Sequence, residues 1–487
     1  MKFYCRIRHD LDMLFNSFDF VLFFIVVTSA YFAVPHPFRW PILLAASCFF
    51  YMAFVPAYVL ILFAAIIIDY FAGIWIEDTE NSDKRRLYLQ MSIASVCGLL
   101  FVFKYFNFFN QNVATLAQVM HWNYPIESLE IVLPIGLSFH TFQSLSYVIE
   151  VYYGRQRAER HFGIYSLYVM YFPQLVAGPI ERPQNMLHQF HERQQFDFSR
   201  LGDGLSLMLW GLFKKVVVAD NLGLYVDAVY GSSSDHSGTS LLFATYFFAF
   251  QIYADFSGYS DIARGASRIY GIELMKNFEM PYFSLSIPEF WSRWHISLST
   301  WFRDYVYIPL GGSRVSPSRY IVNILVVFLL SGFWHGANWT FVIWGGLHGI
   351  YLIAYRLVGS DTRSLSKRNL LRKSNLVLHF VQLLLTFHLV LLAWVFFRSE
   401  SVATAMLIIE KIFTDHGPLF RAPTIFPQAL FVTGLLLALE WFNWRTEYWA
   451  NSKVFCVSCR ISYAMALFFA IVLFGMDSGS QFIYFQF

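Results

Sequence analysis

Charge is scarce in this chain. Lys, Arg, Asp and Glu make up 14% of its 487 residues, against about a quarter in soluble domains. With 57% hydrophobic and 20% aromatic residues, that shortage excludes a water-soluble globular fold. A net charge of +3 is too small an electrostatic footprint for nucleic acid, so no such partner is expected. Cysteine is scarce too. Of five, only Cys456 and Cys459 form a C-x-x-C pair, and neither a second pair nor a nearby histidine completes a zinc site. No metal is expected, and nothing calls for a disulfide. Linker-like and low-complexity stretches are missing, which argues for one domain. Internal repeats are missing as well, which argues against an inverted-repeat transporter. The basic residues near the N-terminus lead into an apolar run with no small-residue cleavage site, so an uncleaved membrane helix is expected there.

What the chain has in abundance is apolar runs. Separated by charge or proline, they predict membrane segments near 19–34, 40–54, 57–76, 88–109, 129–152, 162–178, 241–256, 321–335, 339–356, 376–397, 427–442 and 461–475. Pro56, Pro134, Pro173 and Pro179 interrupt several, so re-entrant or interfacial pieces are expected among them. The fold class expected is all-α: a polytopic helical bundle of about ten to thirteen spans around a central tunnel. The stretch 356–373 carries Arg356, Arg363, Lys367, Arg368, Arg372 and Lys373 against Asp361 alone, which predicts a cytoplasmic loop. Residues 336–338 then fall on the opposite side.

Two polar, aromatic runs stand out within residues 282–349: WSRWHISLSTWFRDY (291–305) and LSGFWHGANW (330–339). Ser286 and Glu289 have capping-box spacing, with Pro288 in the first turn. The spacing predicts one helix with Trp291, His295, Leu298, Phe302 and Tyr305 on one face and Arg293, Ser297, Thr300 and Asp304 on another. Such a helix suits an interfacial anchor or a cavity wall equally well. From Tyr320 to His335 a helix rises about 24 Å, short of the roughly 30 Å hydrocarbon core, so His335 is expected inside the bilayer. Gly332 and Gly336 leave room beside it for another backbone or a substrate. His348 follows in a Gly-rich apolar run. An ionisable group at such depth is a functional candidate by default, although an interhelical hydrogen bond is the plainer role for a lone histidine.

The runs PEFWSRWHISLSTWFRDYVYIPLGGSR and LSGFWHGANWTFVIWGGLHG closely resemble the membrane-bound O-acyltransferase family. They resemble the bacterial branch that includes the alginate O-acetyltransferase membrane subunit and the D-alanine transfer protein of teichoic acid. YFPQLVAGPIERP (171–183), GLFKKVVVADNL (211–222), YADFSGYSDIARG (253–265) and the closing IYFQF (483–487) extend the resemblance. Members often open with a run like MLFNSFDF (13–20), which makes residues 1–12 either an extension or a misassigned start and 13–487 the domain, with its active core at about 282–349. The resemblance implies that His335, in the WHG motif, is the catalytic histidine, and that His295, in WHxS, is a second active-site residue. Arg293, Trp294, Arg303, Asp304, Asn338 and His348 are further tunnel or substrate candidates.

Histidine can take a proton from a hydroxyl near neutral pH, and a thioester is already activated, so no resident cofactor is expected. The resemblance implies acetyl-CoA as donor from the cytoplasmic side. It implies exopolysaccharide hydroxyls such as those of alginate as acceptor, with an extracytoplasmic relay or transferase protein as partner, in the bacterial cytoplasmic membrane. Peptidoglycan, cellulose and teichoic acid are alternative acceptors, and a non-enzymatic polysaccharide or lipid transporter is the alternative class. His188 and His191 form H-x-x-H without the further boxes that a di-iron site needs. His140, His379 and His388 read as structural, whereas Asp255 and Asp261 either cap broken helices or line the tunnel.

Overall fold

A computed structural model describes residues 13–366, 376–450, 457–476 and 481–483. The expected N-terminal extension and Cys456 of the C-x-x-C motif lie outside these residues. The described residues are helical and loop segments without strands, and six helices are long and apolar enough to cross a membrane: Tyr58–Asp78, Ser82–Val119, Pro317–His335, Trp339–Val358, Leu376–Arg398 and Ile425–Asn443. Phe18–Ala33 and Ile461–Phe474 are shorter apolar helices. The chain forms two compact units, one of Met1–Gly211, Tyr259–Met275 and Gln481–Gln486, the other of Leu212–Gly258, Lys276–Ser480 and Phe487.

In the first unit, Ser17 caps Phe18–Ala33 by accepting from the Phe20 N–H at 3.1 Å. Helix Leu137–Tyr152 is buried along nearly its whole length. It starts only there. Where the apolar window predicts a span from 129, the chain runs irregularly up to Pro134, and Gly136 turns it into the helix at φ +75°. The window 162–178 likewise holds a helix only over Phe162–Met170, followed by turns around Pro173.

The second unit contains the motif-rich region. Helices Pro317–His335 and Trp339–Ser366 pack backbone against backbone. A Cβ on Gly332 would lie 2.2 Å from the Phe341 carbonyl oxygen, and one on Gly345 would lie 2.1 Å from that of Phe328. Small residues at such a crossing replace the hydrophobic drive that lipid cannot supply. A Gly345→Val change is therefore expected to force the helices apart, at a cost of about 1–3 kcal/mol or more, and to lower membrane abundance. Gly346, whose Cβ would meet Leu329 at an ordinary 3.7 Å, should tolerate alanine. Equal abundance of the two variants would refute the tight crossing. The stretch expected as a loop from 356 instead continues the helix to Ser366; residues 367–375 lie outside the described chain.

The same unit buries charge. The π-turn Phe213–Ala219 places Lys215 with its side chain 1% exposed, 2.8 Å from Asp220 and 3.0 Å from Asp255. Burial pulls the Lys215 amine down, but Asp255 and Asp220 together hold it above its ordinary value. Lys214 donates to the Ser257 hydroxyl at 2.9 Å. Asp255, open between capping and tunnel-lining on sequence grounds, is thus one half of a buried ion pair.

Candidate active site

Ser286 caps helix Ile287–Arg293, accepting from the Glu289 N–H at 3.3 Å, while Glu289 Oε2 accepts from the Leu285 N–H at 2.8 Å. The box is as the sequence spacing predicts, shifted by one residue on its return arm. The single amphipathic helix beyond it is not. Trp294 is extended (φ −103°, ψ 127°) and His295 is left-handed (φ 42°, ψ 56°), and a second short helix starts at Ile296. Helical spacing counts residues and is blind to this break, so the two expected faces do not exist as faces. A left-handed histidine costs about 1–3 kcal/mol and persists only where its surroundings hold it.

The break turns His295 inward. It is fully buried, its ring edge-on to Phe256 at 4.6 Å and 6.3 Å from Trp334. Burial pushes its imidazole down to about 3, so His295 is neutral at physiological pH. His335 is the last residue of helix Pro317–His335 and 4% exposed. Its ring packs edge-to-face against Trp334 and Trp344, both at 4.9 Å, and against Phe397 at 5.4 Å. His348, also fully buried, lies 5.1 Å from Trp344, and its Nδ1 accepts from the Trp291 indole at 3.3 Å. The three histidines thus alternate with tryptophans along one buried string: His295, Trp334, His335, Trp344, His348. Indole N–H can only donate, so His348 carries its hydrogen on Nε2. That atom and the Trp344 indole nitrogen have no hydrogen-bond partner among the described residues.

The glycines beside His335 serve packing. A Cβ on Gly336 would meet the Phe341 ring at 2.1 Å, so this space is filled by the neighbouring helix. Of the other candidates, Trp294 is buried and stacked on Phe290 at 5.6 Å. Arg293 pairs with Glu289 at 2.7 Å, one turn back on its own helix. Arg303 pairs with Asp304 at 2.7 Å in the π-turn Arg303–Tyr307, with 59% of the arginine side chain exposed. Asn338 caps the next helix, accepting from the Thr340 N–H at 3.0 Å and donating to the Glu400 carbonyl at 2.9 Å. Sequence reasoning passed over Asn277, which touches His295, and the tryptophans between the histidines. Asn277, in the run MKNFEMPYF just ahead of the histidine motif, is the signal that was there to find. Among the described residues no group of three His, Cys, Asp or Glu side chains is placed to hold a metal ion.

Both histidine motifs fall in residues 160–397, which match the family described as MBOAT, membrane-bound O-acyltransferase family. The chain is 35% identical to the peptidoglycan O-acetyltransferase of Helicobacter pylori over 406 residues, 77% of this chain and 74% of that protein. It is 34% identical to a probable alginate O-acetylase of Pseudomonas putida over 451 residues, 91% of this chain and 89% of that one. A teichoic acid D-alanyltransferase of Streptococcus thermophilus is 30% identical over 236 residues, 45% of this chain and 56% of the other. The chain belongs to the membrane-bound O-acyltransferase family and is a multi-pass membrane acyltransferase.

Proposed function

We propose that this protein takes an acetyl group from acetyl-CoA at the cytoplasmic face of the bacterial inner membrane and delivers it toward hydroxyls of an extracytoplasmic polysaccharide of the alginate kind. The observation that carries this reading is His335, buried at a helix end among tryptophans within the family-matched residues. His335 acts as general base. It takes the proton of the acceptor hydroxyl while that oxygen attacks the thioester carbonyl. The C–S bond breaks, and the imidazolium returns the proton to the departing thiolate. General-base assistance supplies about 10²–10⁴ in rate, and the low-dielectric, water-poor surroundings strengthen each electrostatic contact along the path. His295 supports the same centre. The thioester is already activated, so the reaction calls for no resident cofactor.

Orientation follows from the basic stretch 356–373, which favours the cytoplasm and so brings the donor from that side. A relay or transferase partner outside would complete the transfer to the polymer. A wall acceptor is the second reading, favoured by the Helicobacter relative, whose identity and coverage match those of the alginate relatives. The test uses radiolabelled acetyl-CoA with sealed membrane vesicles of both orientations, carrying this protein and its candidate partner, and alginate or peptidoglycan as acceptor. Ester-linked label should appear when acetyl-CoA meets the cytoplasmic face only. Transfer to neither polymer, or from the opposite face alone, refutes the proposal, and transfer to peptidoglycan alone selects the second reading.

A further inference from the structure

Asn277 is 1% exposed, and the turn that carries His295 closes on it. Its backbone carbonyl accepts from the Ile296 N–H at 2.9 Å. Its side-chain Oδ1 accepts from the Ser297 N–H at 3.1 Å and from the Ser297 hydroxyl at 3.0 Å. The His295 Nδ1 lies 3.2 Å from that same oxygen.

The hydrogen positions follow from these partners. A backbone N–H can only donate, so the amide oxygen of Asn277, not its nitrogen, faces the turn. An amide oxygen can only accept, so in this contact the His295 Nδ1 carries the hydrogen; the Ser297 hydroxyl also lies 3.5 Å from that nitrogen but donates to the nearer amide oxygen. Burial keeps the imidazole neutral, and a neutral imidazole has one N–H and one lone pair. The lone pair is therefore on Nε2. The same contacts explain why His295 holds a left-handed backbone: one asparagine grips the two residues that follow it and the ring itself.

We propose that Asn277 is a positioning residue of the active site, fixing His295 as the Nδ1–H tautomer so that Nε2 accepts a hydrogen bond from a second hydroxyl of the acceptor, the attacking hydroxyl's one hydrogen going to His335. This rests on the reading of His295 as part of the active centre. It gives His295 a definite sign: it accepts, and does not polarise a carbonyl by donating. The arrangement is the one by which an orienting side chain sets a catalytic imidazole in other enzymes.

The test reads the tautomer directly. Protein labelled with nitrogen-15 at histidine is studied in lipid bilayers by NMR, with the His295 signals assigned by their loss in His295→Gln. Wild type should show the Nδ1–H form. Asn277→Leu should lose that preference and slow acetyl transfer by about 10²-fold, with little change in KM for acetyl-CoA. Asn277→Asp keeps oxygen acceptors facing the turn, so it should keep Nδ1 protonated and retain most of the activity. If Asn277→Leu does not accumulate in the membrane, Asn277→Asp decides alone. An Nε2–H tautomer in wild type, or an unchanged tautomer in Asn277→Leu, overturns the proposal whatever the activity. So does an Asn277→Asp protein without a protonated Nδ1. A tautomer lost in Asn277→Leu with transfer intact leaves the hydrogen-bond assignment standing and overturns the active-site reading of His295.

Discussion

A His335→Ala protein is expected in the membrane at wild-type abundance, with acetyl transfer slowed by two orders of magnitude or more. The first half follows from packing. His335 ends its helix, so its loss removes no intrahelical turn, and an interhelical hydrogen bond in a membrane is worth about 1–2 kcal/mol at most. The second half follows from the step assigned to it, since a positioned general base contributes about 10²–10⁴. The measurement is polymer O-acetylation in a deletion strain complemented at matched abundance. Near-normal acetylation would remove His335 from the mechanism and pass the role to His295 or His348. His295→Ala is expected to be damaging, but its effect includes the loss of a residue gripped by Asn277, so abundance must be matched there with particular care.

The second large effect is on stability and lies outside the histidines. Lys215→Met leaves Asp220 and Asp255, whose side chains are 4% and 2% exposed, buried without the ammonium that both contact. Breaking a buried pair in this way costs about 3–5 kcal/mol, a large share of the roughly 5–15 kcal/mol that holds a typical protein folded. The variant should accumulate poorly and unfold at markedly lower temperature in detergent. Asp255→Asn should cost much less, because Lys215 keeps Asp220. If Lys215→Met unfolds with wild type, the triad contributes nothing net and its role is to be sought in the reaction.

The same residues show what a sequence makes legible. The Ser286–Glu289 cap and the helix that ends at His335 are local patterns, written in three- and four-residue spacings, and they fold as read. So do most of the apolar runs, because burial from water is a property of composition. The turn at Trp294 and His295 is not local in this sense. It is held by Asn277, far enough back in the chain that no periodicity links them. The triad of Lys215, Asp220 and Asp255 is harder still: one carboxylate is five residues from the lysine and the other is forty. The sequence shows two consecutive lysines in an apolar run and nothing local that pairs either with Asp255. Arg303 and Asp304 are a different case. Adjacent opposite charges beside a histidine motif suggest a site, yet the arginine side chain is largely exposed.

The close approach of Gly332 and Gly345 also bears on how any substrate reaches His335. Transporters with alternating access work by rocking or sliding helices past one another around a fixed site. Two helices whose backbones touch, with a carbonyl of each occupying the space a methyl group would need on the other, have no clearance for that kind of stroke. Sliding by even one residue would drive a side chain into the partner's main chain. The helix bearing His335 is in this respect a stationary post. Donor and acceptor have to travel to it, so on the proposed route the exchange of reactants does not call for a stroke between these two helices.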